Sequence, residues 1–558
     1  MDYKSKLEFL WKNIYPNSDI TLLHNFLKSI EIYKNNKSVK SDKADWYKDA
    51  VIYSLYVDRF NNDFSGLEKK LDYLQDLGVN CLWLLPILES PMRDAGFDIS
   101  DHYSVRDSLF ANKNTETNIQ FKQFVDQAHK RGINIIFDFA INHTSDQHPW
   151  FLEAKKCKNN PYRNYYIWAD DDKGYADARI IFKGIEDSNW QKCDDQYYFH
   201  RFFNFQPDLN YKNPEVLFSM CRAMLYWQNI GIDGFRADAI PYLWKEEGTD
   251  CENLPQTHKV VKFFRAVLDF VSPGTLLLAE ACQQPNKVVE YFGDGDECHA
   301  AYHFPLMPRM FKAIAQQDGN PIIDTLDEKF TPIISPEAQW FTFLRCHDEL
   351  SLELVYVTEE ERKFIHEHYC HKELWDFRNG EGISARLADL MQYNADKILL
   401  AYSIMLTLTG SPIIYYGDEF ATVNDEDLYY STIEKTGKDD TRFLVRNYIN
   451  WNEVETDLNN KNSLPSKVFY PLKNMINVRN KYNVFGRGTL HFDENNKDKN
   501  LLIYKREYEN ISIQIIHNLS EQTKDISDFI VKHNSQSDLL GNTISDKLAP
   551  YGFLWILC

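Results

Sequence analysis

The 558-residue chain has no stretch near the roughly 18 uninterrupted apolar residues of a membrane-crossing helix, so a membrane span is not expected. Its first residues, Met1-Asp2-Tyr3-Lys4-Ser5-Lys6, lack the apolar segment of a secretory leader. The ten cysteines include no C-x-x-C pair, and Cys81 and Cys346 sit in apolar runs. Reduced thiols and a cytoplasmic location are therefore expected. Basic residues are in deficit: 62 Lys and Arg stand against 82 Asp and Glu, a formal net charge of -20. That balance disfavours nucleic acid and anionic membranes as partners and suits a neutral small molecule. The chain has no internal repeat and no long low-complexity tract.

What the chain does contain is apolar and aromatic. A hydrophobic content of 44% over this length allows one large core and one or two smaller modules. Aromatics make up 15%, including 12 Trp and 33 Tyr, a supply that suits stacking on sugar rings, although aromatic side chains pack cores far more often. Residues 1–45 carry a Leu/Ile/Phe helical pattern and a polar run, Lys34-Asn35-Asn36-Lys37-Ser38, that reads as a linker. From Trp46 onward, short β-rich runs alternate with amphipathic helical stretches. Strands are expected over 51–57, 81–86, 133–140, 234–239, 276–281, 301–304, 340–345 and 412–417. Eight such strands separated by helices predict an α/β fold, a TIM (β/α)8 barrel rather than a doubly wound sheet, over 46–142 and 206–470. Residues 143–205, rich in Tyr, Trp, Asn and Asp, read as a subdomain inserted after the third strand. A second long connection, 350–400, reads as charged and helical. The C-terminal 471–558 reads as a β-sandwich that caps the barrel.

Carboxylates close several of these strands. Asp138 ends the third, Asp238 the fourth, Glu280 the fifth, and His347-Asp348 follows the seventh. Acidic groups at the ends of apolar strands carry a cost that usually marks function. In a (β/α)8 barrel the C-terminal strand ends form one rim, where catalytic groups gather. Neighbouring strands lie about 4.8 Å apart, and a retaining glycosidase needs two carboxyl groups about 5–5.5 Å apart. Arg236 lies two residues before Asp238, on the same side of the strand, where it keeps Asp238 ionised and aims it. Asp238 then suits a nucleophile, and Glu280 a proton donor whose pKa burial raises. Asp348 and His347 are placed to grip sugar hydroxyls, and His143 offers another donor. Trp150 and Trp168 are open to lining the pocket from the inserted subdomain, but at least one is expected to pack that module, and neither is taken as a site residue.

Asp138 with Asn142-His143, the run Gly234-Phe235-Arg236-Ala237-Asp238, Glu280 and His347-Asp348 resemble the four core motifs of the α-amylase superfamily, glycoside hydrolase family 13. Gln206-Pro207-Asp208-Leu209-Asn210 resembles its fifth. The resemblance covers about 46–558. It implies Asp238 as nucleophile, Glu280 as acid/base and Asp348 as transition-state stabiliser. It also implies substrate contacts from Asp94, Phe97, Asp138, His143, Arg236, His347, Arg442 and Arg446, on a small α-glucoside. Within the family, Val289-Glu290-Tyr291-Phe292-Gly293-Asp294-Gly295-Asp296-Glu297-Cys298-His299 and His303-Phe304-Pro305-Leu306-Met307-Pro308-Arg309 resemble the trehalose synthase subgroup, which isomerises maltose and trehalose. By the same resemblance, Asp94 pairs with one of Arg442 and Arg446 to close the back of the pocket, and Ala239 argues against α-1,6 specificity.

The chain also departs from the family pattern. Phe97 stands where a tyrosine is usual, which keeps stacking and loses a hydroxyl. The segment Arg59-Phe60-Asn61-Asn62-Asp63-Phe64-Ser65-Gly66 has no Asp-rich calcium loop. A second family calcium site uses positions matching Asn142, Asp208, Tyr242, Leu243 and a glutamate where this chain has Lys245. An ammonium there disfavours a divalent ion, so no metal or other cofactor is expected. The short first loop and Trp244-Lys245 resemble amylosucrase, and the Arg442–Arg446 segment lacks the family's Thr-Pro-Met-Gln before Trp451. Hydrolysis of trehalose or maltose, and glucosyl transfer from sucrose, therefore stand as alternatives to isomerisation.

Overall fold

The computed structural model describes residues 2–34, 44–182, 184–437, 439–530 and 536–558. Eight parallel strands close a barrel: β1 (Ile52–Leu55), β2 (Cys81–Leu84), β3 (Asn134–Ala140), β4 (Gly234–Asp238), β5 (Leu276–Ala279), β6 (Ala300–Tyr302), β7 (Gln339–Phe343) and β8 (Ser411–Tyr415). Each coincides within a few residues with an expected run. The strands are nearly continuous apolar segments because both their faces are covered, by side chains inside the barrel and by helices outside. The register fixes the rim. Asp138 on β3 lies level with Arg236 on β4, and Ala140 lies level with Asp238. Ala237 and Ala279, which precede Asp238 and Glu280, are also level.

The insertion after β3 holds a short helix, Pro149–Ala154, and a three-stranded sheet of Trp168–Ala169, Trp190–Cys193 and Gln196–Phe199. Trp150 stacks on His102, and Trp168 stacks on Phe151 beneath the Arg163 guanidinium, so both are packing residues. The connection after β7 is less purely helical than its charge suggests. Beside the helix Glu359–Tyr369 it carries a three-stranded sheet of Leu350–Ser351, Asp376–Phe377 and Gly382–Ile383.

Two N-terminal helices, Tyr3–Ile14 and Ile20–Lys34, lie on the barrel helices Pro214–Ile230 and Pro255–Val271. Trp11 and Phe26 stack on opposite sides of the Phe218 ring, at 5.0 and 4.3 Å between centroids. The polar linker run, Lys34 apart, falls outside the described residues.

At the other end, the helix Leu464–Lys481 runs unbroken through the 470/471 boundary drawn from the sequence, so the change to β-structure comes later. A four-stranded antiparallel sheet follows, formed by Thr489–Phe492, Leu501–Tyr508, Ile511–Asn518 and Phe553–Leu557. Alternation gives it two buried faces. Leu501, Ile503, Ile516, Leu554 and Ile556 pack with Leu548 of a small two-stranded ribbon and with Ile526 just beyond it. Leu502, Tyr504, Ile513, Ile515 and Trp555 join the barrel core.

Arg506 locks this domain to the barrel. It is fully buried and donates to the carbonyls of Thr407 and Leu408, both at 2.7 Å, at the end of the helix Ala395–Thr407. Its Nη2 donates to the carbonyls of Phe485 and Gly488, both at 2.9 Å, and its Nε to that of Thr489 at 3.1 Å. Arg479 donates to the carbonyls of Leu406 and Gly410 beside it. Two guanidiniums thus serve as the cap of one helix C-terminus.

Candidate active site

Every site residue named from the sequence lies at the C-terminal rim of the barrel, and all but Asp138 line one cavity of about 710 Å3. Asp138 sits beneath it, buried on β3. Arg236 joins these carboxylates. Its Nη1 donates to Asp138 Oδ1 at 2.7 Å and to Asp238 Oδ1 at 2.8 Å, and its Nη2 lies 3.9 Å from Glu280 Oε1. Trp83, on β2, donates its indole N–H to the other Asp138 oxygen at 3.0 Å. The guanidinium is therefore held from below and presents Asp238 from a fixed direction.

Strand β4 ends in a sharp turn. Ala239 has φ 57°, the left-handed region, and its N–H points at Glu280 Oε2, 3.1 Å away. A small side chain keeps this conformation tolerable. Burial raises the Glu280 carboxyl to about 7, against the pull of Arg236 and with the help of the Asp238 charge. At neutral pH a substantial share of Glu280 thus carries a proton, beside a carboxylate held by arginine. That pair can donate a proton to a leaving oxygen and attack the carbon behind it.

Asp348 forms the opposite side. Arg442 Nη1 and Arg446 Nη2 both reach its Oδ1, at 3.2 and 3.3 Å, and His347 Nε2 lies 3.1 Å from its Oδ2. Burial would raise this carboxyl, but the imidazole and the two guanidiniums outweigh it and hold it below the usual carboxylate range. Burial drives His347 down to about 3, so the ring is neutral and shares its proton with Asp348. Phe97 stacks on the His347 ring with centroids 5.9 Å apart.

The resemblance implied an arginine on Asp94, and the structure corrects this. Asp94 Oδ2 accepts from Gln206 Nε2 at 2.9 Å, and that amide also lies 3.3 Å from His143 Nε2. Both arginines turn to Asp348, while Arg442 is clasped by both oxygens of Asp440 at 2.9 Å. The guanidiniums hold Asp348 and Asp440 below the usual carboxylate range. Asp94, raised by burial to about 6, takes a neutral amide. The turn that carries Asp94 and Phe97 depends on Ala95 at φ 48° and Gly96 at φ 101°, where a side chain would meet Pro86. Next to it lies a second cavity of about 1190 Å3, and Asp94, Ala95, Arg442 and Arg446, together with Ile185 and residues 377–379, line both spaces.

Trp83, Gln206 and Asp440 were not named as site residues from the sequence. Trp83 sits in an apolar strand and reads as core, and Asp440 reads as a loop acid. Gln206 opens the fifth motif and could have been found there. Cys346, His347 and Asp348 form the sole cluster among the described residues with metal-ligand spacing. Two guanidiniums on the same carboxylate make it unsuited to a cation. No helix among the described residues is long and apolar enough to cross a membrane.

The model of the α-amylase catalytic domain matches residues 32–488. A "Trehalose synthase/amylase TreS" of Mycobacterium tuberculosis (strain ATCC 25618 / H37Rv) is 47% identical over 387 residues, 67% of this chain and 62% of the relative, so the chain spans about six-tenths of that protein's length. The protein of the same name from Mycolicibacterium smegmatis (strain ATCC 700084 / mc(2)155) is 41% identical over 83% of this chain and 81% of its own. A solved structure described as a family GH13_31 enzyme superposes with a TM-score of 0.70 at 25% identity, over 92% of this chain and 99% of the other. Closed barrel, rim carboxylates and matched residues together show that the chain belongs to the α-amylase family, glycoside hydrolase family 13.

Proposed function

We propose that this protein is a retaining α-glucosyl-transferring enzyme that interconverts maltose and trehalose within one pocket. The observation that carries the reading is the junction at Arg236, which sets Asp238 and a partly protonated Glu280 against the same cavity. Glu280 protonates the glycosidic oxygen while Asp238 attacks the anomeric carbon, giving a β-glucosyl ester and free glucose. Asp348 and its arginines favour the distorted, positively charged ring of the transition state. The freed glucose turns, and Glu280, now a base, takes a proton from a different hydroxyl as that oxygen attacks. Net isomerisation requires that glucose stays and water stays out. Ile181, Phe182 and Phe202 of the insertion after β3 and Leu354 and Phe377 of the insertion after β7 supply apolar side chains to the cavity wall. Relatives named "Trehalose synthase/amylase TreS", at 41–47% identity, and "Trehalose synthase", at 39–40%, support the same reading. The ten thiols, unpaired, suit a reducing compartment, and we place the enzyme in the cytoplasm.

The test is incubation of purified protein with maltose, trehalose and sucrose in turn, with products resolved by chromatography. Interconversion of maltose and trehalose with little free glucose is expected. Glucose as the main product would make it a hydrolase, and fructose release from sucrose would make it a sucrose glucosyltransferase. Either result overturns the proposal.

A further inference from the structure

By the family resemblance, Asn142, Asp208, the backbone at Tyr242 and Leu243, and residue 245 stand at the positions of a calcium set. In this chain they do not fit a divalent cation. Lys245 is buried, at 3% exposure, and its Nζ donates to Asn142 Oδ1 at 2.7 Å while lying 2.8 Å from Asp208 Oδ2. A calcium ion takes about 6–8 oxygens at roughly 2.3–2.6 Å. Here an ammonium already sits on the two side-chain oxygens, and Asp208 supplies the single negative charge needed to neutralise it. A dication added beside Lys245 would be repelled by the ammonium and would find no second carboxylate. Burial lowers the Lys245 pKa and Asp208 opposes that, so the charge is held by its partner rather than by solvent.

We propose that Lys245 is a covalently tethered cation that fastens the inserted subdomain to the barrel and positions His143, making calcium neither bound nor required at this point. The contacts run outward from the ammonium on both sides. Asn142 precedes His143, whose backbone bridges to Asp208, and the Asn142 carbonyl accepts from Leu209 N at 2.8 Å. Asp208 Oδ1 accepts from Arg201 N at 2.9 Å, and the Arg201 guanidinium pairs with Glu252. Glu252 also accepts from Arg179 Nε at 2.7 Å, and Arg179 reaches the cavity wall. One side chain from the loop after β4 thereby ties both ends of the insertion to the strand that carries Asp238. The role does not depend on which α-glucoside the enzyme turns over.

Three measurements test it together. Wild-type protein dialysed against calcium chloride and then metal-free buffer is expected to hold no stoichiometric calcium by mass spectrometry. Its melting temperature should be unmoved by EDTA or by added calcium chloride. K245E, which restores a carboxylate, is expected to melt several degrees lower in EDTA and to regain both melting temperature and turnover when calcium chloride is added. K245M should melt lower and show no calcium rescue, since Asp208 is left buried without a counter-charge. One calcium per wild-type chain, an EDTA-induced fall in wild-type melting temperature, or a folded K245E indifferent to calcium would each overturn the proposal. Should K245E not fold, the wild-type calcium content and EDTA response decide alone.

Discussion

Glu280 is set by neighbours that pull in opposite directions: a guanidinium and a backbone N–H that favour its charge, and a carboxylate that opposes it. Burial dominates and leaves the carboxyl at about 7. As the general acid, it must enter the reaction protonated. Activity should therefore be retained below about 7 and fall as pH rises through that value, in a profile of kcat/KM for maltose. Glu280→Gln should lower turnover of maltose by about 10²–10⁴-fold and remove this basic limb. An aryl α-glucoside whose leaving group needs no proton should lose far less in its first step. A maltose profile for the wild type with no limb near 7 would show that another group supplies the proton. This residue's place on the rim was legible in the sequence, since an acid closing an apolar strand carries a cost that usually marks function. Its neighbours were less so. The Trp83–Asp138 bond joins two strands, and nothing local separates that indole from a core tryptophan. The partner chosen by Arg442 and Arg446 depends on competition among buried carboxylates, which spacing does not encode.

Among the elements, the barrel strands were readable because burial on both faces leaves plain apolar runs. The short strands at 350–351, 376–377 and 382–383 were not, being two residues each in a charged setting. The helix Leu464–Lys481 carries Pro471 within it and crosses the 470/471 boundary, and the sheet begins only at Thr489. The helix Ala395–Thr407 depends on a cap that comes from far along the chain. Arg506 supplies donors to carbonyls that have no intrahelical partner. Arg506→Met keeps the apolar bulk and removes those donors. A loss of about 3 kcal/mol or more is expected, since each buried acceptor left unsatisfied costs about 1–3 kcal/mol. Denaturant unfolding of the full chain reads this, and an unchanged midpoint would show the clamp to be dispensable.

At the scale of the whole molecule, a barrel, two insertions and a sheet domain meet so that one rim is roofed and the opposite side is braced. The boundary between the pocket and the neighbouring cavity is made of side chains: Asp94, Ala95, Arg442 and Arg446, with Ile185 and residues 377–379, line both spaces. Asp94→Ala should cut kcat/KM for maltose at least about tenfold, the cost of one charge-assisted contact in the transition state. It should also raise the ratio of maltotriose to maltose turnover, because the freed volume leads into the second cavity. If that ratio stays constant, the two spaces do not communicate. A boundary built of side chains places the preferred length of the sugar chain under the control of the few residues that form it. The same scaffold could then drift between disaccharides and longer oligosaccharides by single substitutions, with its folding core and its bond-breaking pair left as they are.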